Sequence, residues 1–121
     1  MIQVRVNIPE RGELDIPDFL ETIREKFYDL VKQDGPMVPH VLKSFKPNEC
    51  NCNSYETSKG HFLTPHYDDR ALSGPVLMNL SLGCDSVMTY TAENGTEIEV
   101  ELPTNTLQLV TGPSRWDYQH R

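Results

Sequence analysis

Residues 86–102 read SVMTYTAENGTEIEVEL. SVMTYTA is rich in β-branched and aromatic residues, and TEIEVEL alternates strictly. The alternation predicts two strands, with Ile98, Val100 and Leu102 facing inward and Glu97, Glu99 and Glu101 outward in the second. Glu93-Asn94-Gly95 joins them, and Asn-Gly is a strong hairpin signal because both residues tolerate positive φ. The carboxylate row reads as a solvated face that also discourages edge-to-edge pairing. Working outward, TLQLVTG (106–112) follows as a further strand. PVLMNLSLG (75–83), HFLTPHY (61–67) and CNCNSYE (50–56) precede, with a turn at Ser58-Lys59-Gly60. Short strands at this spacing predict a β-sandwich or barrel.

The N-terminal third differs. IQVRVNI (2–8) alternates as a strand, and DIPDFLETIREKFYDLVKQ (15–33) has helical periodicity. Asp15 is placed to cap that helix, Pro17 suits its first turn, and Asp18 and Glu21 favour its positive end. Phe19, Leu20, Ile23, Phe27, Leu30 and Val31 form one apolar stripe that reads as core. Gly35-Pro36 stops the helix, and residues 36–49, with Pro36, Pro39 and Pro47, read as an irregular connection. The whole is expected to be a single domain over 1–121, mostly β with one N-terminal helix. Within it, 1–49 precedes a β core over 50–121.

Composition narrows the function classes. The chain of 121 residues carries 11 basic against 18 acidic residues, a net charge of −7. Nucleic-acid binders normally show a basic face, so tight non-specific duplex binding is disfavoured. A local basic rim is still available from Lys43, Lys46, Lys59, Arg70 and Arg115. No apolar run is long enough to span a bilayer, and the N-terminus does not read as a secretory leader. The odd cysteine count (Cys50, Cys52, Cys84) suits reduced thiols in the cytoplasm or nucleus. Cys50 and Cys52 have no second pair at zinc-site spacing.

The chemistry concentrates in three residues. His66 and Asp68 stand at i and i+2 in TPHYDDR, and His120 follows far downstream in SRWDYQHR. On a strand, His66 and Asp68 would face the same side and reach one ion together. Two imidazoles and a carboxylate on one face of a metal leave three positions open, the arrangement that suits Fe(II), an oxoacid and O2. Read alone, each histidine is better explained as a structural polar residue. His40 and His61 are assigned to that ordinary role.

Three stretches together resemble the AlkB family of Fe(II)/2-oxoglutarate dioxygenases: Asn53-Ser54-Tyr55, His66-Tyr67-Asp68-Asp69, and Ser114-Arg115-Trp116-Asp117-Tyr118-Gln119-His120. NLSLG (79–83) and LQLVTG (107–112) are similar to family strands. The resemblance covers roughly residues 50–121, and 1–49 more weakly resembles the helix and lid that precede the family's core. It implies a double-stranded β-helix, or jelly roll, with His66, Asp68 and His120 as iron ligands and Asn53 and Tyr55 hydrogen-bonding 2-oxoglutarate. It implies oxidative N-demethylation of a methylated nucleic-acid base or protein side chain, with Fe(II), 2-oxoglutarate and O2. Asp69 is expected to support the ligands through Arg70 or Arg115, or to form a surface turn. Tyr67, Trp116 and Phe45 are candidate base stackers or core residues. The family holds the far carboxylate of 2-oxoglutarate with an arginine beyond the distal histidine. Arg121 comes too early for that role, so the chain is expected to lack its last strand and to be a fragment or truncated product. Two other readings stay open: a non-catalytic binding module on the same fold, and a 2-oxoglutarate-dependent side-chain hydroxylase.

Overall fold

The computed structural model describes residues 2–4, 18–33, 45 and 51–121. Asp15, Pro17, the lysines at 43 and 46, His40 and Cys50 lie outside them, as does most of the 36–49 connection. The chain divides into two compact units, Met1–Tyr55 and Glu56–Arg121.

In the first unit, strand β1 (Ile2–Val4) runs antiparallel to β2 (Cys52–Ser54), with Gln3 opposite Asn53. Helix α1 spans Asp18–Gln33 with Asp18 and Glu21 in its first turn, where carboxylates complement the helix dipole. Phe27 is the centre of its apolar stripe, 2% exposed, with the Phe45 ring edge-on at 5.7 Å. Phe45 is therefore a packing residue here. Phe19 departs from expectation: it is 62% exposed and lies off the buried face of α1.

The second unit is built from two antiparallel sheets. One pairs β3 (Val76–Leu80) with β6 (Leu107–Thr111), and the other has the order β5-β4-β7, from β4 (Ser86–Ala92), β5 (Glu97–Leu102) and β7 (Tyr118–His120). The chain thus enters the first sheet, crosses to the second for the hairpin, returns with β6 and crosses again to β7. Val76 and Val110 form the buried part of one sheet, and Thr89, Tyr90, Leu102 and His120 that of the other. The Gln108 side chain of β6 faces the Tyr90 phenol of β4, so the two sheets meet there.

The β4–β5 hairpin closes as its sequence predicts. Asn94 Oδ1 accepts the Thr96 N–H at 3.0 Å, and Gly95 takes φ +84°. Glu97, Glu99 and Glu101 are exposed on β5, the outer strand of its sheet. Ile98 is 49% exposed rather than inward, because burial along this edge strand rises only towards Leu102, which is 5% exposed.

The largest departure is HFLTPHY. Residues 61–65 form no strand; a single antiparallel bridge at His66 is all the sheet character this stretch has. Two local facts account for it. Pro65 has no N–H to give a ladder, and His61 is drawn into the preceding turn, where its Nδ1 accepts the Glu56 N–H at 3.2 Å. That turn follows a 3-10 segment, Thr57–Lys59, ended by Gly60 at φ +68°. A second element was not legible: one helical turn, α2 (Pro113–Trp116), between β6 and β7. Gly112 at φ +57° admits it and Pro113 occupies its first position, a placement proline favours. No helix among the described residues is long and apolar enough to cross a membrane.

Candidate metal centre

His66 and His120 are direct main-chain partners. The His66 N–H donates to the His120 carbonyl at 3.1 Å and the His120 N–H donates back at 2.9 Å. Residues paired in this way carry their side chains on one face, and the two rings lie 4.4 Å apart. On its other edge β7 pairs with β4, placing Tyr90 opposite His120. The sheet therefore fixes both imidazoles. Asp68 reaches them from irregular chain, and the pleat of a strand is not what brings it there.

The ring of His66 is oriented. Its Nδ1 lies 2.9 Å from the Thr64 carbonyl. A carbonyl only accepts, so the proton sits on Nδ1 and the lone pair of the neutral ring on Nε2. That Nε2 lies 3.3 Å from Asp68 Oδ1, and the His120 Nε2 lies 3.5 Å from Asp68 Oδ2. One ligand atom from each of the three residues falls within 4.8 Å of the others. Donors held roughly 2.0–2.2 Å from one ion are about 3 Å apart when adjacent. A bare imidazole lone pair facing a carboxylate oxygen is repulsive unless a proton or a metal cation stands between them. The donor set thus fits a borderline divalent ion such as Fe(II).

Burial divides the three. His120 is 7% exposed, whereas the side chains of His66 and Asp68 remain about a third exposed, at 31% and 34%. The centre is closed behind His120 and open in front. Burial holds the His120 imidazole below its ordinary pKa; Asp68 opposes this, and His66 and Arg115 add to it. His120 is thereby kept in the neutral form that binds metals. Behind it, Tyr90 is 7% exposed and its ring lies 6.0 Å from the imidazole. Burial and the Asp68 charge raise the Tyr90 pKa against a hydrogen bond with Gln108, so it stays a neutral phenol. Asn79 of β3 donates to Gln108 Oε1 at 3.2 Å. Sequence reasoning missed Tyr90, Gln108 and Asn79; their only signal is a polar group at an inward strand position.

Arg115 corrects another expectation. It is 2% exposed and forms no part of a basic rim. Its Nη1 donates to the Asp68 carbonyl at 3.2 Å, and Nη2 to those of Asp69 at 2.6 Å and Ser73 at 3.5 Å. Its Nε donates to the Gly74 carbonyl at 3.3 Å. Arg70 answers from the loop, donating to the Trp116 carbonyl while its guanidinium sits 3.6 Å over the Tyr67 ring. Asp69 Oδ1 accepts the N–H groups of Ala71 and Leu72, at 2.7 and 2.8 Å, and so closes a turn. Lys59 pairs with Glu56 at 2.8 Å, and Arg121 with Glu97 at 3.3 Å.

Tyr67, Trp116 and Tyr118 share an open groove of about 920 Å³ with Arg70 and Asn94. Trp116 also carries Arg115 over its ring at 4.4 Å. Asn53, on β2, and Tyr55, just beyond it, are exposed residues of the first unit.

The comparisons agree with this chemistry. The profile of the 2OG-Fe(II) oxygenase superfamily matches residues 7–121. The chain belongs to this family of 2-oxoglutarate-dependent dioxygenases, which use Fe(II), 2-oxoglutarate and O2, and within it to the AlkB-like members. It is similar to the tRNA (carboxymethyluridine(34)-5-O)-methyltransferase ALKBH8 of Macaca fascicularis, 33% identical over 105 residues, covering 87% of this chain and 14% of that protein. It is also similar to the protein of the same name from Xenopus tropicalis, 32% identical over 83 residues, covering 69% of this chain and 13% of that protein. The chain therefore spans only 13–14% of the length of these relatives. No solved structure gives a significant match.

Proposed function

We propose that the second unit is the core of a jelly-roll oxygenase in which His66, Asp68 and His120 bind Fe(II), and that this centre oxidises an alkyl group on a nucleic-acid base, with RNA as the substrate class. The observation that carries the reading is the convergence of three ligand atoms within 4.8 Å from segments remote in sequence. The two-sheet path, with chain crossings before β4, after β5 and before β7, supports the jelly roll. The relatives' names support a tRNA substrate over a methylated protein side chain. The net charge of −7 points away from duplex DNA.

When bound, iron with 2-oxoglutarate and O2 supplies the oxidising power. The chain's residues do the rest. His66 and His120 present neutral nitrogens, and Asp68 supplies the single anionic ligand. The open front of the centre leaves room for cosubstrate and substrate, while the sheet behind His120 excludes water. Asn53 and Tyr55 are assigned hydrogen bonds to 2-oxoglutarate, since neutral amide and phenol groups suit a carboxylate. If the oxidised carbon is bonded to nitrogen, the hydroxymethyl product breaks down to formaldehyde and a demethylated base. If it is bonded to carbon, the alcohol persists. The free thiol of Cys84 supports a cytoplasmic or nuclear setting.

Anaerobic addition of Fe(II) and 2-oxoglutarate should give a weak visible charge-transfer band that His66→Ala and Asp68→Ala abolish. No band in the unaltered chain overturns the enzyme reading. Mass spectrometry of methylated tRNA and methylated peptides then decides the substrate class, and formaldehyde release separates demethylation from stable hydroxylation.

A further inference from the structure

Asp68 is the one ligand candidate that no sheet holds. It lies in irregular chain, a third exposed, yet its carboxylate meets two imidazoles fixed by the β4–β7 ladder and the His66–His120 bridge. What holds its main chain is Arg115. A buried guanidinium is costly unless its donors are satisfied, and here they are satisfied by the carbonyls of Asp68, Asp69, Ser73 and Gly74. All four belong to the loop that carries Asp68. Arg115 itself sits on α2, directly before the strand that carries His120. The Arg70 bond to the Trp116 carbonyl ties the same two segments in the reverse direction.

We propose that Arg115 is a positioning residue for the metal centre: through the carbonyls of the 68–74 loop it sets the Asp68 carboxylate against His66 and His120 before any metal arrives. The inference rests on the metal-centre reading above. Its chemistry depends on the planar five-donor fork, which lysine does not reproduce. Loss of the fork frees the loop without removing a ligand. Metal affinity then falls because the ion must order Asp68 itself, and the ligand field loosens.

The test measures Mn(II) binding to the full chain by loss of the free-ion electron paramagnetic resonance signal, and the visible spectrum of Co(II) as a report of geometry. Arg115→Met should keep the β signal in circular dichroism, weaken Mn(II) binding by about 10- to 100-fold, as loss of groups that orient metal ligands typically does, and alter the Co(II) spectrum. Arg115→Lys and Arg70→Ala should show smaller shifts in the same direction. Val110→Ala, which truncates a buried side chain of β6 outside the 68–74 loop, should lower the melting temperature and leave Mn(II) affinity and the Co(II) spectrum unchanged. Unaltered Mn(II) affinity and Co(II) spectrum in Arg115→Lys and Arg115→Met overturn the proposal. So does a weakening that Val110→Ala reproduces. If Arg115→Met does not fold, Arg115→Lys and Arg70→Ala decide. Failure of the unaltered chain to bind Mn(II), or retention of binding in Asp68→Ala, sinks the metal-centre reading itself and is distinguishable because it does not involve position 115.

Discussion

Tyr90 stands directly across the β4–β7 ladder from His120, its ring 6.0 Å from the imidazole. The phenol forms the back wall of the centre, and Gln108 of the opposite sheet faces it. Tyr90→Phe keeps the wall and removes the hydroxyl that faces Gln108. We expect it to cost about 1 kcal/mol in urea unfolding, a typical net hydrogen-bond contribution, with Mn(II) affinity retained.

The raised pKa of Tyr90 gives a second handle. The folded state prefers the neutral phenol, so this contribution is complete below the ordinary value of 10.0 and is lost as pH rises through the higher folded value. Phenolate absorbance should show a tyrosine titrating above 10.0, and Tyr90→Phe should delete that step.

His120 predicts the opposite slope. Its folded pKa lies below the ordinary 6.5, so the unfolded chain binds the proton first as pH falls. The metal-free protein should lose stability as pH drops from about 6.5 towards the folded pKa. Thermal unfolding of the metal-free chain across this range checks the sign. A His120→Asn variant should flatten the dependence.

Tyr55→Phe tests the cosubstrate assignment. Loss of a hydrogen bond to a carboxylate typically costs roughly 1.5–3 kcal/mol, or about 10- to 150-fold in 2-oxoglutarate affinity. Metal binding should be unchanged. Isothermal titration with the Mn(II)-loaded chain reads both.

Gly95→Ala probes the hairpin. A Cβ there meets nothing within 4 Å, so the whole penalty is the φ of +84°. A left-handed conformation costs a residue with a side chain about 1–2 kcal/mol, which urea unfolding should recover with no change at the metal centre.

The β4–β5 hairpin was legible because alternation and Asn-Gly are local signals, and the family resemblance was legible because three short words stand in order. What failed was whatever residue type and alternation do not carry. HFLTPHY contains the right residue types for a strand, but Pro65 and the capture of His61 by its own turn leave only a bridge. Ile98 keeps strand periodicity while lying on an edge strand that little covers. Arg115 looks like any surface arginine until the fold wraps four carbonyls around it. The pairing of His66 with Asp68 was anticipated for a reason that does not hold: sheet geometry fixes the two histidines, and a loop held by Arg115 delivers the carboxylate.

The bridge between His66 and His120 also bears on kinetics. Both residues satisfy each other's main chain, so their backbones cannot part unless that edge of the sheet unzips. An ion escaping from the pocket must shed its nitrogen donors one at a time from a framework that does not yield. Residence should therefore be governed by fluctuations of the Asp68 loop, the softest wall of the enclosure, and amide exchange in residues 68–74 should slow when an ion is bound while positions 66 and 120 stay protected in either state.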